Sequence, residues 1–362
     1  MKTLLILFGG SSSEHEVSRN SARCILNNLD ASHYHILTLG ITKPGEWMLT
    51  RATPDQIADG SWESRGDNRR AVLSPARTDH GLLVEGDGGI ERVRVDCVWP
   101  VLHGRYGEDG TIQGLFEMSG IPYVGPNVFS SAVCMDKAKA KVLVAGTGIR
   151  QADYYLLHRT DYRAGAQKEL DAIGDYFAGR LPLFVKPCIA GSSVGVTKVT
   201  DLAALPAAIE TALRHDKKVL IEQAIVGREV EIAVLGNEHP EASVVGEILS
   251  ANEFYDYSAK YINSASRTVV PADISDESSD ALRRAAVTVY RTLDCEGLTR
   301  CDFFLTEDGT PVFNEANTMP GFTNISMYPK LWEASGLVYA RLLDRLVELA
   351  VEAHPEGPLI LE

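Results

Sequence analysis

The chain has 362 residues, 45% of them hydrophobic and 23% charged; this is ordinary composition for packed domains and excludes a largely disordered protein. Its length exceeds what one core fills, so two or three domains are expected. A net charge of −14, from 35 Lys and Arg against 49 Asp and Glu, argues against a general nucleic-acid surface or an anionic-membrane surface, since both need broad basic patches. A small-molecule partner is expected.

The six cysteines (Cys24, Cys97, Cys134, Cys188, Cys295 and Cys301) include no C-x-x-C pair, which points away from a metal knuckle or a disulfide scaffold and toward buried free thiols. Residues 1–8 are apolar for the length of one strand only, and no run of eighteen apolar residues occurs. The expectation is a soluble, cytoplasmic protein with no signal peptide and no membrane span.

In chain order, residues 3–8 (TLLILF) read as a fully buried strand that ends at Gly9 and Gly10. A helix over 14–29 and a strand over 34–40 follow. Residues 41–89 are polar and rich in Gly, Pro and Asp, so loops and short strands are expected there, with little chemistry. A buried strand returns at 93–102 and a helix at 111–118, an alternation that suggests a parallel sheet with helices on both faces. A second unit opens near Ser131, with helices at 136–145, 164–177 and 202–214 and strands at 154–157, 183–186 and 219–223. A third unit carries strands at 229–235 and 243–249, then a polar, aromatic stretch over 250–268 with no helical period. Long loops of that kind are often lids. A helix at 279–293, strands at 302–305 and 312–314, and a C-terminal helical stripe complete the reading.

Four stretches could carry chemistry. GGSSSEHEVS (9–18) is a glycine turn before a helix; it lacks the dinucleotide pattern, and Glu14 in its first turn could hold an ammonium group. HGRYGEDGT (103–111) follows a strand, where ligands of parallel sheets bind. Lys137, Lys186 and GSSVG (191–195) make a third set: backbone N–H groups of small residues can approach phosphates, and Lys186 is expected to point its ammonium toward that loop. The strongest stretch is RCDFF (300–304) with FNEAN (313–317). On a hairpin, Arg300, Asp302, Glu315 and Asn317 converge, and oxygen ligands of this kind suit magnesium. Two acids beside apolar Phe303, Phe304 and Phe313 would be costly without a cation.

Together GGSSSEHEVS, HGRYGEDGT, MDK (135–137), FVKP, GSSVG, FYDYSAKY, RCDFF and NEANTMPGFTNIS resemble the D-alanine–D-alanine ligases of the ATP-grasp superfamily. The resemblance implies an α/β fold in three parts: a parallel-sheet N-terminal domain (1–130), a central ATP-grasp subdomain (131–221) and a C-terminal one (222–362) with a lid at 250–268, the last two sandwiching ATP. It implies two magnesium ions on Asp302, Glu315 and Asn317, with manganese as a substitute and potassium activation left open. ATP would meet Lys137, Lys186, Ser193, Glu222, Ala224, Ile225, Glu229 and Lys260, with Glu222 reading the adenine amino group. The first D-alanine would lie at Glu14, Ser192 and Tyr261, near His103, and the second at Arg300, Gly321 and Ser326 with Met327 as an apolar wall. The implied activity is ATP-dependent joining of two D-alanines through a D-alanyl phosphate, for peptidoglycan synthesis, in a homodimer. The alternatives carried forward are a D-lactate or D-serine acceptor, another ATP-grasp carboxylate–amine ligase, and a nucleotide-binding regulator without catalysis.

Overall fold

Three sheets carry the chain in the computed structural model, which describes residues 1–191, 193–249 and 267–354. The first has seven strands: β1 (Lys2–Gly9), β2 (Tyr34–Ile41), β3 (Trp47–Thr50), β4 (Arg69–Leu73), β5 (Gly81–Gly86), β6 (Gly89–Arg94) and β7 (Cys97–Val101), in the order β6-β5-β4-β3-β2-β1-β7. Strand β1 is parallel to β2 on one side and β7 on the other. Residues Leu4, Leu5, Ile6, Leu7 and Phe8 are all buried, because both faces of this central strand are covered; hence the unbroken apolar run.

Within this sheet the expected parallel pairing is confined to these three strands. From β2 to β6 the sheet continues as an antiparallel meander, whose short turns leave no crossover helix to mark the strands. The short strands expected within residues 41–89 therefore build nearly half of this sheet. Residues 41–89 also hold a short helix, Pro54–Asp59, closed by a Thr53–Gln56 capping box, and Trp62, which is fully buried edge-on against Phe8 at 4.9 Å between ring centroids.

The helix Lys137–Ala145 leads to a two-residue strand, β8 (Arg150–Gln151), which joins the third sheet. The second sheet is antiparallel: β9 (Tyr154–His158), β10 (Leu183–Pro187), β11 (Thr197–Val199) and β12 (Lys218–Gln223), ordered β11-β10-β12-β9. The helices Arg159–Phe177 and Leu205–Leu213 close over it in one apolar cluster.

The third sheet adds β13 (Arg228–Leu235), β14 (Glu241–Leu249), β15 (Arg267–Val269), β16 (Leu298–Leu305) and β17 (Pro311–Asn317), ordered β15-β14-β13-β16-β17-β8. Residues 250–266 of the expected lid lie outside the described residues, and Arg267 and Thr268, counted with that lid, belong instead to the edge strand β15. One core cluster runs from Leu4 and Trp99 of the first sheet through Leu235 and Ile248 of the third to Leu342 and Leu346 of the C-terminal helix Tyr339–Ala353. It also takes in Tyr328 and Trp332 of the helix Met327–Ala334. The sequence reading passed over that helix. Pro329 stands in its first turn, where a missing N–H costs nothing because those donors have no partner within the helix. All six cysteines are buried free thiols.

Candidate active site

The hairpin β16–β17 is not a regular ladder. Arg300 pairs with Asn317 and Asp302 with Glu315, but Phe303 pairs with Phe313, so Asn314 is the extra residue of a bulge. Without the bulge, Asn314 would stand opposite Asp302. The inserted residue shifts Glu315 onto the Asp302 face while Phe303 and Phe313 stay in the core beneath, ring to ring at 5.7 Å. A one-residue irregularity thus puts both acids on one surface.

Those acids are not left without cations. The Arg300 guanidinium donates to both oxygens of Asp302, at 2.8 and 2.7 Å, and lies 3.2 Å from Glu231 of β13. Lys137 reaches Glu315 at 3.3 Å and donates to the carbonyl of Ala190 at 2.9 Å. The cost of burying two acids is therefore met partly by the chain's own cations, which weakens the burial argument for a metal. The donor set still fits a divalent ion that takes a few oxygens and leaves the rest to phosphate and water. Among the described residues no group of three or more His, Cys, Asp and Glu side chains could hold a metal; the third member here, Asn317, brings an amide oxygen, which accepts from the Met319 N–H at 3.1 Å.

Lys186 does not point at the glycine loop as expected. Its ammonium meets Glu222, whose other carboxylate oxygen lies 2.6 Å from Lys141. In the β10–β12 ladder Lys186 pairs with Leu220, so Glu222 is its diagonal neighbour on the same face. Burial alone would raise the Glu222 carboxyl; the charges of Lys186 and Lys141 outweigh it and hold Glu222 below its ordinary range. The same charge of Glu222 overrides burial at Lys186 and raises that ammonium.

At the opposite corner, Glu14 lies between two backbones. A Cβ added at Gly104 or at Gly191 would come within 2.7 Å of its Oε2, so both loops approach the carboxylate closely. The Gly104 N–H donates to Glu108 at 2.5 Å. Burial, then the charge of Glu14, pushes the Glu108 carboxyl up to about 8, with Lys137 and Arg300 offsetting only part. His103 is a strut: Nδ1–H donates to the Met319 carbonyl at 3.0 Å, which leaves Nε2 to accept from Ser21 Oγ at 3.2 Å. Burial keeps this imidazole below its ordinary pKa, against the pull of Glu14, so it holds the neutral tautomer that its partners require.

One cavity of about 540 Å³ takes in both corners. It is lined by Glu14 and His103, by Lys137, Lys186 and Ser193, by Glu222, Ala224, Ile225 and Glu229, and by Arg300, Asp302, Glu315 and Asn317. Gly321, Ser326 and Met327 line it as well. Ser326 turns its hydroxyl back to Thr323, 2.8 Å away, directly against Gly321. Ser192, Lys260 and Tyr261 lie outside the described residues.

Residues 3–126 match the family model of the D-ala D-ala ligase N-terminus, and residues 143–348 that of its C-terminus. The chain belongs to the D-alanine–D-alanine ligase family. It is 45% identical to the D-alanine–D-alanine ligase of Clostridium acetobutylicum over 98% of this chain and 99% of that one, and 47% identical to that of Acetivibrio thermocellus over 98% and 97%. Among solved structures, the VanG D-Ala:D-Ser ligase of Enterococcus faecalis superposes with a TM-score of 0.88 at 40% identity, over 97% of this chain and 99% of that one. The D-alanine–D-alanine ligase of Coxiella burnetii does so at 0.82 and 36%, over 98% and 94%. The α/β architecture is that of these ligases, which are ATP-dependent and generally use a divalent metal.

Lys141, Glu231 and Glu108 line the cavity of this family member without a role in the sequence analysis. Two had a signal. Lys141 stands four residues after Lys137, on the same helix face, and Glu231 shares a strand face with Glu229 across buried Val230. Glu108 lay in a quoted motif, but its burial next to Glu14 depends on how two distant loops meet.

Proposed function

We propose that this chain joins two D-alanine molecules, at the expense of ATP, to give D-alanyl-D-alanine for peptidoglycan. The observation that carries it is the cavity itself: Glu14, Arg300, the Asp302–Glu315 pair and Gly321 with Ser326 all face one space. In this reading Glu14, Ser192 and Tyr261 hold the first D-alanine, and Lys137, Lys186, Ser193, Glu222, Ala224, Ile225, Glu229 and Lys260 hold ATP. The first carboxylate attacks the γ-phosphorus, forming the acyl phosphate and releasing ADP. The amine of the second D-alanine then attacks the acyl carbon, and phosphate leaves. Arg300 and the Gly321 N–H stabilise the oxyanion, with Ser326 beside them, and Met327 and His103 shape the two substrate ends. Asp302, Glu315 and Asn317 would hold magnesium or manganese, which when bound supplies charge neutralisation on the transferred phosphoryl group. Lys137 adds its own charge there. The acyl phosphate hydrolyses readily, so water has to be excluded, and this reading gives that role to residues 250–266.

The division at 1–130, 131–221 and 222–362 belongs to the same proposal and is supported by the three sheets, although β8 crosses it to join the third. No helix among the described residues is long and apolar enough to cross a membrane; use of ATP favours the cytoplasm. A second reading, with D-serine as acceptor, draws on the likeness to the Enterococcus faecalis enzyme. Measuring phosphate release from ATP with D-alanine alone, and then with D-serine or D-lactate as second substrate, separates them. Absence of D-alanine-dependent release above background would overturn the proposal.

A further inference from the structure

Lys141 is nearly sealed from solvent, its side chain 1% exposed, with its ammonium 2.6 Å from Glu222 and 5.6 Å from the centre of the Tyr154 ring. Burying an ammonium is expensive and is tolerated only with a close partner; Leu or Met would fill the same space without that cost. Burial pulls its pKa below the ordinary lysine range, and Glu222 opposes the pull. The role of this charge is therefore to be sought at Glu222.

Glu222 has two cations, and they are not equivalent. Lys186, whose side chain is 12% exposed, lies on the cavity wall and in the proposed reading holds ATP, whose phosphates would draw its ammonium toward them. That movement takes one positive charge from Glu222 when the nucleotide excludes water from the site. Lys141, which also lines the cavity, approaches from the helix Lys137–Ala145 and is the more deeply buried of the two, its side chain 1% exposed. An ionised carboxylate only accepts hydrogen bonds, whereas a protonated one also donates. A base carrying a 6-amino group donates to the ionised form. A base carrying a 6-oxo group sets lone pairs against it and needs the protonated form.

We infer that Lys141 is a specificity-determining residue: the fixed counter-ion that keeps Glu222 an acceptor while nucleotide is bound, and so selects a 6-amino over a 6-oxo purine. The inference rests on the proposed placement of Glu222 at the adenine edge. The site groups that face Glu222 are Lys141 and Lys186, with Tyr154 beyond Lys141 and Glu315 beyond both lysines.

The test compares kcat/KM for ATP and for inosine triphosphate, read as D-alanine-dependent phosphate release. The ratio cancels the fraction of active protein, so partial unfolding does not distort it. Lys141→Met should lower the ATP preference about tenfold or more, the size expected when a hydrogen-bonding discrimination is lost. The D-alanine KM should stay within about twofold, and Lys141→Arg should recover most of the preference. If Lys141→Met does not fold, Lys141→Gln gives the same reading. An unchanged ratio in a neutral variant overturns the inference. Glu222→Gln is measured beside them. If it keeps the wild-type ratio, the adenine placement of Glu222 fails and the inference with it. If it collapses the ratio while the Lys141 variants do not, the inference alone fails.

Discussion

At one end of the cavity Glu222 meets Lys141 and Lys186, Asp302 meets Arg300, and Glu315 meets Lys137. At the other, Glu108 is buried facing Glu14, with Lys137 and Arg300 too weakly placed to hold its proton off. The two ends treat buried acids in opposite ways: Glu222 is held below its ordinary range and Glu108 is pushed far above. The nucleotide end carries its own cations, ready to trade partners when phosphates arrive. In the proposed reading, the other end meets the ammonium of the first substrate at Glu14.

The comparison breaks most visibly at Glu315. Glu315→Gln keeps the volume and the fold but removes a negative charge from the phosphoryl end; phosphate release should fall about a thousandfold or more, with an unchanged circular dichroism spectrum. Full activity would refute the metal assignment. Glu14→Gln probes the opposite corner. Losing a charge-assisted contact there should raise the KM for the first D-alanine about tenfold to a hundredfold and leave the ATP KM within about twofold. Equal rises in both would erase the distinction between the two ends.

The smallest effect concerns Glu108 and its sign is definite. Burial and the charge of Glu14 push its carboxyl from the ordinary carboxylate range up to about 8 in the folded chain. Between those values the folded state holds a proton that the unfolded state has lost, so this group makes stability fall as pH rises through that window. Melting temperatures at pH 5.5 and 8.5 should therefore drop less in Glu108→Gln than in the parent. An equal drop would show that the carboxyl is not perturbed.

Local patterns carried much of the architecture. TLLILF announced a strand covered on both faces, and the helices at His15–Asn28, Thr111–Ser119 and Asp276–Thr292 appear within a few residues of expectation. Short strands were expected over 41–89, but their pairing into a meander was illegible, because half-exposed strands in a polar stretch carry too little alternation to show it. The helix Met327–Ala334 was hidden by Pro329, a residue that breaks helices everywhere except in the first turn.

The hairpin acids show where sequence stops and folding begins. The chain by itself determined that Arg300, Asp302, Glu315 and Asn317 would lie on two adjoining strands, because strand period and a short turn are local properties. Whether Asp302 faces Glu315 or Asn314 depends on one bulged residue, set by how Phe303 and Phe313 pack against the helix Asp276–Thr292. Only the tertiary structure could decide that. It alone brought Lys141 to Glu222 and Glu108 to Glu14 as well, since the charge a buried acid carries is fixed by neighbours that lie far from it in the chain.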